Sequence, residues 1–504
     1  MNRVLAVVPF QANPERPYLY DDNTGMVFPT TPATVDLLTA HCDAPLDVAA
    51  ASLAERHSAA DLAAAAEFID RWETRFGAFY RSPVFRDQAA KQMFEFSRAD
   101  LEETLRQQAW VQLVVVVTED CNLRCSYCYY SEAYAVSRNR TARQLPFETG
   151  RKAIDYFFAQ AAPKIASNPA RKLALNFYGG EPLMAQRTLR ELTRYAKANA
   201  PCDLTLALTT NGTLLRGDIV DFLVENDFYI LVSLDGEAGD HDRNRVYPDG
   251  SGSYERIIAN LRELRARYPD YKRVHLVGVF DWGTDLVRVN DFHADNADWL
   301  PRLQMTSQAN ERDTSYYERF TADDLEHFKE AHRKLEEIYF EARLSGKPVP
   351  HYARVYFELR IVGVLLRKRQ GNLPPPMLPF TNTCVPGSKL AVRTDGTFDI
   401  CERINGSMPI GDVDRGIDVD RIEQVVRNYN EAVCRDCWSC PVTKLCAHCF
   451  ASCNTDGAFA KDDCAGTIEG IRNTLASVYR ILEAQPDAFS DLSFFNPELQ
   501  LLTR

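Results

Sequence analysis

The stretch Cys121-Asn122-Leu123-Arg124-Cys125-Ser126-Tyr127-Cys128 constrains this chain more than any other. Its three cysteines are spaced by four and three residues, directly behind the apolar run 111–117. A strand delivers the chain to a loop, and the loop presents three thiols together. Three sulfurs do not close a tetrahedral zinc site, which takes four protein ligands. They suffice to hold three irons of a four-iron cube and to leave the fourth iron open to another ligand. Half of a zinc site is the other reading of these residues alone.

The 504 residues allow two to four domains. A net charge of −12 without any long Lys/Arg block argues against a nucleic-acid partner. Of 14 cysteines, three stand in the opening motif and nine lie between Cys384 and Cys464, leaving Cys42 and Cys202 as ordinary thiols. Such clustering points to metal binding in a reducing compartment rather than to disulfides. The apolar run 4–10 lacks the length and cleavage site of a signal peptide. No stretch has the ~18 apolar residues of a membrane span. A cytoplasmic protein without membrane contact is expected.

Residues 1–85 have the pattern of a separate α/β module. Tyr18-Leu19-Tyr20 and Met26-Val27-Phe28 flank a polar turn, which predicts a hairpin. Thr31 with Pro32 predicts a capped helix, and Ser58 with Asp61 caps another. Behind Ser58, Leu62, Ala65, Ile69, Trp72 and Phe76 form a helical apolar stripe. Residues 86–108 make a helical bridge. From 109 to 306, apolar strands alternate with helices, the sign of a parallel α/β sheet or barrel. The strands fall at 111–118, 173–177, 204–209, 229–233 and 274–279, with a weaker sixth near Leu303. Helices are expected at 147–161 and 254–267. Residues 307–380 form a helical linker, helical over 320–345 and broken by Pro374-Pro375-Pro376. A cysteine-rich domain at 381–470 and a helical segment at 471–504 follow.

Downstream of CX3CX2C, Tyr178-Gly179-Gly180-Glu181-Pro182 closes the second strand, Thr210-Asn211-Gly212 the third, and Ser233-Leu234-Asp235-Gly236 the fourth. Together these resemble the radical S-adenosylmethionine (SAM) superfamily. The resemblance implies a partial (β/α)6 barrel of TIM type, with a [4Fe–4S] cluster on Cys121, Cys125 and Cys128. It also implies SAM held near Tyr127, Gly179, Gly180, Glu181, Asn211, Ser233 and Asp235. The loop His241-Asp242-Arg243-Asn244-Arg245 is similar to that of the peptide and sulfatase maturases. Its Arg245 would brace Asp235 or face SAM, and a solvated, salt-bridged loop is the plainer alternative.

Cys384-X11-Gly396-X4-Cys401 resembles the opening of a SPASM domain, which carries auxiliary clusters. Cys434, Cys437, Cys440, Cys446, Cys449, Cys453 and Cys464 continue it. The steps after Cys446 depart from the family spacing. Two fully ligated cubes need eight thiolates, so one of the nine is spare or one cluster has altered ligation. Zinc knuckles fit the spacings by themselves. In related sulfatase maturases the acidic residue after the corresponding cysteine is the proton acceptor. Glu402 takes that place here, with an exposed strand-end glutamate as the plainer reading.

The order strand, hairpin, helix and helical pair in 1–85 resembles the winged-helix-like recognition element that binds leader peptides of ribosomally made, modified peptides. The combined resemblance implies a SPASM-type peptide maturase with a precursor peptide as partner and an external reductant of flavodoxin or ferredoxin type. SAM would be cleaved to a 5′-deoxyadenosyl radical that takes a side-chain hydrogen, and an intrapeptide cross-link would form. A thioether is preferred over a carbon–carbon link, because Cys128-Tyr129-Tyr130-Ser131 and the Arg138/Arg140 run resemble maturases of cysteine-rich peptides. A sulfatase maturase making formylglycine, and a zinc scaffold without radical chemistry, are the alternatives.

Overall fold

The computed structural model describes residues 3–492 apart from 109, 135–139, 312–313, 368–376, 388, 405, 407, 456 and 462. Arg138, the proline run and the end of the 471–504 segment lie outside the described residues.

The first strands are β1 (Val7–Asn13), β2 (Arg16–Asp21) and β3 (Met26–Pro29), an antiparallel sheet with β2 at its centre. The Asp21 carboxylate fixes the turn after β2 by accepting from the Thr24 N–H and hydroxyl at 3.0 and 2.6 Å. Three helices follow, α1 (Pro32–Ala40), α2 (Leu46–Ser52) and α3 (Ala59–Phe76). Thr31 and Ser58 cap α1 and α3, each accepting a backbone N–H with its hydroxyl. Leu62, Ala65 and Ile69 of α3 join Leu19, Phe28, Leu37 and Phe79 in one core. The expected stripe fails at its last turn. Phe76 is 41% exposed and lies against Trp72 instead of the core, because α3 stops one residue later at left-handed Gly77. A short ribbon of Val4–Leu5 with Tyr80–Arg81 closes the module.

Helices α4 (Pro83–Phe94) and α5 (Arg98–Gln108) lead to the barrel. Its six strands are β4 (Gln112–Thr118), β5 (Leu173–Gly179), β6 (Leu204–Thr210), β7 (Tyr229–Ser233), β8 (Val274–Phe280) and β9 (Leu303–Gln308). They run parallel in sequence order. Outside them lie α6 (Phe147–Ser167), α7 (Gln186–Asn199), α8 (Asp218–Glu225), α9 (Tyr254–Arg267) and α10 (Leu286–Asp295). Two helix bounds differ from expectation. Helix α6 continues past Pro163 to Ser167. Helix α11 (Ala322–Ser345) begins after Phe320, because Thr321 and Asp324 form a reciprocal cap there. Helix α12 (His351–Leu365) packs on β9.

Beyond β4 the sheet continues with β10 (Lys389–Val392), parallel to β4, and then turns antiparallel through β11 (Thr397–Asp399), β12 (Gly411–Asp412) and β13 (Gly416–Ile417). The second cysteine region is thus hydrogen-bonded onto the first barrel strand. Helix α13 (Val419–Tyr429) precedes its clustered cysteines, and α14 (Cys464–Ala484) follows them. The expected break at 470 falls inside α14, whose start is set by the Asp463 cap. Tyr479 of α14 packs on Phe10 and Tyr18, so the chain's last described helix covers its first sheet.

Candidate functional site

The first cysteine loop leaves the carboxyl end of β4, where α/β barrels carry their sites. Burial pushes the Cys121 and Cys125 thiols up to about 12. They keep their protons until a metal displaces them. Donors are aimed at the sulfurs. The Leu123 N–H and Asn211 Nδ2 approach Cys121 Sγ at 3.4 and 3.8 Å, and the Tyr130 N–H approaches Cys128 Sγ at 3.4 Å. Such donors suit thiolates that carry iron.

The two glycines after β5 let one loop dock on the other. A Cβ on Gly179 would stand 2.2 Å from the Thr118 carbonyl oxygen, and one on Gly180 would stand 2.1 Å from that of Asp120. The Gly180 and Glu181 N–H groups donate to those same oxygens at 2.9 and 2.8 Å. Glu181 is fully buried. Its carboxylate accepts from Thr210 Oγ1 at 2.7 Å, the Asn211 N–H at 2.7 Å and the Leu183 N–H at 3.0 Å. Burial raises it to about 7 against the pull of these bonds. Asn211 completes the link by donating to Asn122 Oδ1 at 2.9 Å.

Asp235, just past buried Ser233, holds the far side of the cysteine loop. It accepts from Arg245 Nε at 3.0 Å, from the Val279 N–H at 3.0 Å and from the Tyr127 hydroxyl. The Arg245 guanidinium lies 5.3 Å over the Tyr127 ring. The Asp235 N–H is directed at His241 Nδ1, 3.3 Å away. The 241–245 loop is therefore a buried bracket, not a solvated one, and Arg245 braces Asp235.

Sequence reasoning missed Asp281 and Tyr316. Fully buried Asp281 accepts from Arg243 Nη1 at 2.7 Å, Asn244 Nδ2 at 2.9 Å and the Tyr316 hydroxyl at 2.5 Å. Asn244 Oδ1 accepts in turn from Ser126 Oγ at 2.6 Å, inside the cysteine loop. A carboxylate just beyond the fifth barrel strand was a findable signal. Tyr316 carried none, because it arrives from an irregular segment.

In the second region, Cys437, Cys440, Cys446 and Cys464 line one cavity of about 260 Å³, with Thr381, Val442 and Lys461 between them. Cys384 and Cys401 both lie in electrostatic reach of Lys389, and Cys401 in reach of Cys449. Cys434 and Cys453 are fully buried, and Cys437 Sγ donates to the Val433 carbonyl at 3.5 Å. Among the described residues no three His, Cys, Asp or Glu side chains converge closely enough for a single ion.

Glu402 is not the exposed strand-end residue of the plainer reading. It is largely enclosed, with its side chain 13% exposed, and accepts from Lys389 Nζ at 2.8 Å. Burial works to raise its carboxyl, but the Lys389 ammonium outweighs burial and holds it below the usual range.

Residues 115–282 match the model of the radical SAM superfamily. They form a radical SAM domain. The α/β sheet that carries them has the radical SAM fold. The cysteine-type anaerobic sulfatase-maturating enzyme of Clostridium novyi (strain NT) is 29% identical over 169 residues, 33% of this chain and 43% of that protein. The radical SAM cyclopropyl synthase TigE of Paramaledivibacter caminithermalis is 26% identical over 239 residues, 46% of this chain and 47% of that one. The matches thus span under half the length of these curated relatives. Native anSMEcpe with bound AdoMet and Kp18Cys peptide shares the fold, with a TM-score of 0.53 at 18% identity, covering 76% of this chain and 99% of that one. No helix among the described residues is long and apolar enough to cross a membrane.

Proposed function

We propose that this chain is a radical SAM peptide maturase that cross-links a ribosomally made precursor peptide whose leader binds residues 1–85. The observation that carries this reading is the four-cysteine cavity, which belongs to the domain whose first strand, β10, extends the barrel sheet at β4. A [4Fe–4S] cluster on Cys121, Cys125 and Cys128, with SAM, supplies a radical able to take an unactivated hydrogen.

The chain's own residues bind, orient and move a proton. Gly179, Gly180 and Glu181 present the rim that takes the SAM amino group, while Asn211 and Ser233 flank it. Asp235, Arg245 and Tyr127 keep the cysteine loop in register. Glu402, held ionised by Lys389, accepts the proton that the substrate gives up as its new bond forms, and an auxiliary cluster, once bound, would take up the electron released with it. Cys437, Cys440, Cys446 and Cys464 hold one auxiliary cluster. Cys384, Cys401 and Cys449 belong to the other, with Cys453 on the same segment as Cys449. The free edge of β3 offers main-chain groups for a leader to add as a strand. Electrons come from a flavodoxin- or ferredoxin-type reductant, and the protein works in the cytoplasm. A thioether is the preferred link and a carbon–carbon link the alternative.

The decisive experiment co-expresses the chain with a short reading frame neighbouring its gene and weighs the peptide. Loss of two hydrogens per link supports the reading. Formylglycine on a leaderless sulfatase peptide would replace it with the second reading, a sulfatase maturase, which the Clostridium novyi relative favours.

A further inference from the structure

The leader-binding module grips the auxiliary cysteine loop through one arginine. Arg81, at the module's closing ribbon, is 3% exposed, and Asp22, in the turn after β2, is fully buried. Arg81 Nη1 donates to the carbonyl oxygens of Cys437 (3.5 Å), Trp438 (3.0 Å) and Cys440 (2.6 Å). Arg81 Nη2 pairs with Asp22 and donates to Thr443 Oγ1 at 3.2 Å, while Nε donates to Asn23 Oδ1 at 3.1 Å. Asp22 answers from its own side, accepting the Lys444 N–H at 3.0 Å and the Thr443 hydroxyl. Lys444 Nζ donates to the Asn23 carbonyl at 2.6 Å.

The contacts to Cys437, Trp438, Cys440, Thr443 and Lys444 join the module to the turn between Cys437 and Cys446. Cys437, Cys440 and Cys446 all line the four-cysteine cavity. Nη1 serves the three carbonyls while Nη2 and Nε hold Asp22, Thr443 and Asn23, a spread of donors that a lysine ammonium cannot match. A cation and an anion also stand buried beside the cavity sulfurs, where the low dielectric leaves their fields unscreened.

We infer that Arg81 and Asp22 are positioning residues for the cluster held by Cys437, Cys440, Cys446 and Cys464, and that the leader-binding module is a built part of that auxiliary site. This rests on the proposed function in that the cavity must hold a cluster. One consequence is practical. Deleting residues 1–85 removes the grip on the cluster loop together with the leader site, so loss of turnover on truncation reports both.

The test compares full-length wild type, Arg81→Met, Arg81→Lys and Asp22→Asn, each reconstituted without oxygen. Iron and sulfide are counted, and the auxiliary signals are titrated by electron paramagnetic resonance. Removing the cation next to the cluster disfavours the reduced, more negative state, and removing the anion favours it. Arg81→Met is therefore expected to lower the midpoint potential of one auxiliary signal or to lose about four irons while the SAM-binding cluster remains. Asp22→Asn is expected to raise that potential, and Arg81→Lys to lie between Arg81→Met and wild type. A merely structural contact would not move the two potentials in opposite directions. Unchanged iron, signals and potentials in all three variants would overturn the inference while leaving the proposed function standing. Wild type with only one cluster would overturn both.

Discussion

The loop of Cys121, Cys125 and Cys128 is braced by side chains of its own barrel, from the ends of the strands beside it: Asn211 after β6, Asp235 after β7 and Asp281 after β8. The turn of Cys437 to Cys446 is braced by Arg81 and Asp22, which lie more than 350 residues earlier in the chain. Both regions present clustered thiols, yet one is organised by its neighbours and the other by a separate module. A barrel supplies its own scaffold because successive strands end side by side at one rim. A small region built of short elements, such as the three-residue strand β11 and the four-residue helix Phe450–Cys453, has little core of its own and borrows support.

The largest expected effect tests the independence of the two regions. Cys125→Ala should abolish SAM cleavage and remove about four irons, leaving the auxiliary signals in place. Chromatography for 5′-deoxyadenosine together with an iron count checks this, and loss of all iron would mean that the two regions are not separable. Within the second region, Cys446→Ser should also cost about four irons, whereas Cys434→Ser should keep a full complement, because Cys434 does not line the cavity. Equal losses would show that the cavity does not define the ligand set.

A smaller effect is expected at the docking glycines. Gly180→Ala puts a methyl 2.1 Å from the Asp120 carbonyl. The barrel should lose about 1–3 kcal/mol in denaturant unfolding, with weaker SAM binding. The same change at Gly239, where nothing lies within 4 Å, is the control and should be near neutral.

The smallest effect concerns acid. Burial holds His275 down to about 4 and His293 down to about 3. Both titrate near 6.5 when unfolded. The folded barrel binds fewer protons than the unfolded chain, so this stability is present above that pH and is lost as pH falls towards the folded values. The thermal unfolding temperature should fall as pH drops from about 6.5 to 4. His293→Gln should flatten that slope by up to about 1.4 kcal/mol per pH unit.

Much of the fold was legible in the sequence. Five apolar runs and a weaker sixth became six parallel strands, because a barrel strand covered on both faces must be apolar along its length. The CX3CX2C spacing, the glycines and the ends of the third and fourth strands all came together at one rim. The surroundings of each carboxylate were less visible. Asp235 and Arg245 are bound to each other and to Tyr127, Glu181 is enclosed by three donors, and Glu402 is paired with Lys389 from β10. Asp281 and Tyr316 went unseen, because neither belongs to a spaced motif.

The sequence by itself determined the first cysteine site and the barrel that carries it. Three sulfurs for one cube come from a single short loop, so their spacing is written in consecutive residues. Only the tertiary structure decided which of the nine later cysteines share a cavity and that Arg81 reaches their loop. Those contacts join residues far apart along the chain. No local period or spacing encodes them, and they exist only once the ribbon of Val4–Leu5 with Tyr80–Arg81 and the turn after β2 are folded against the second cysteine region.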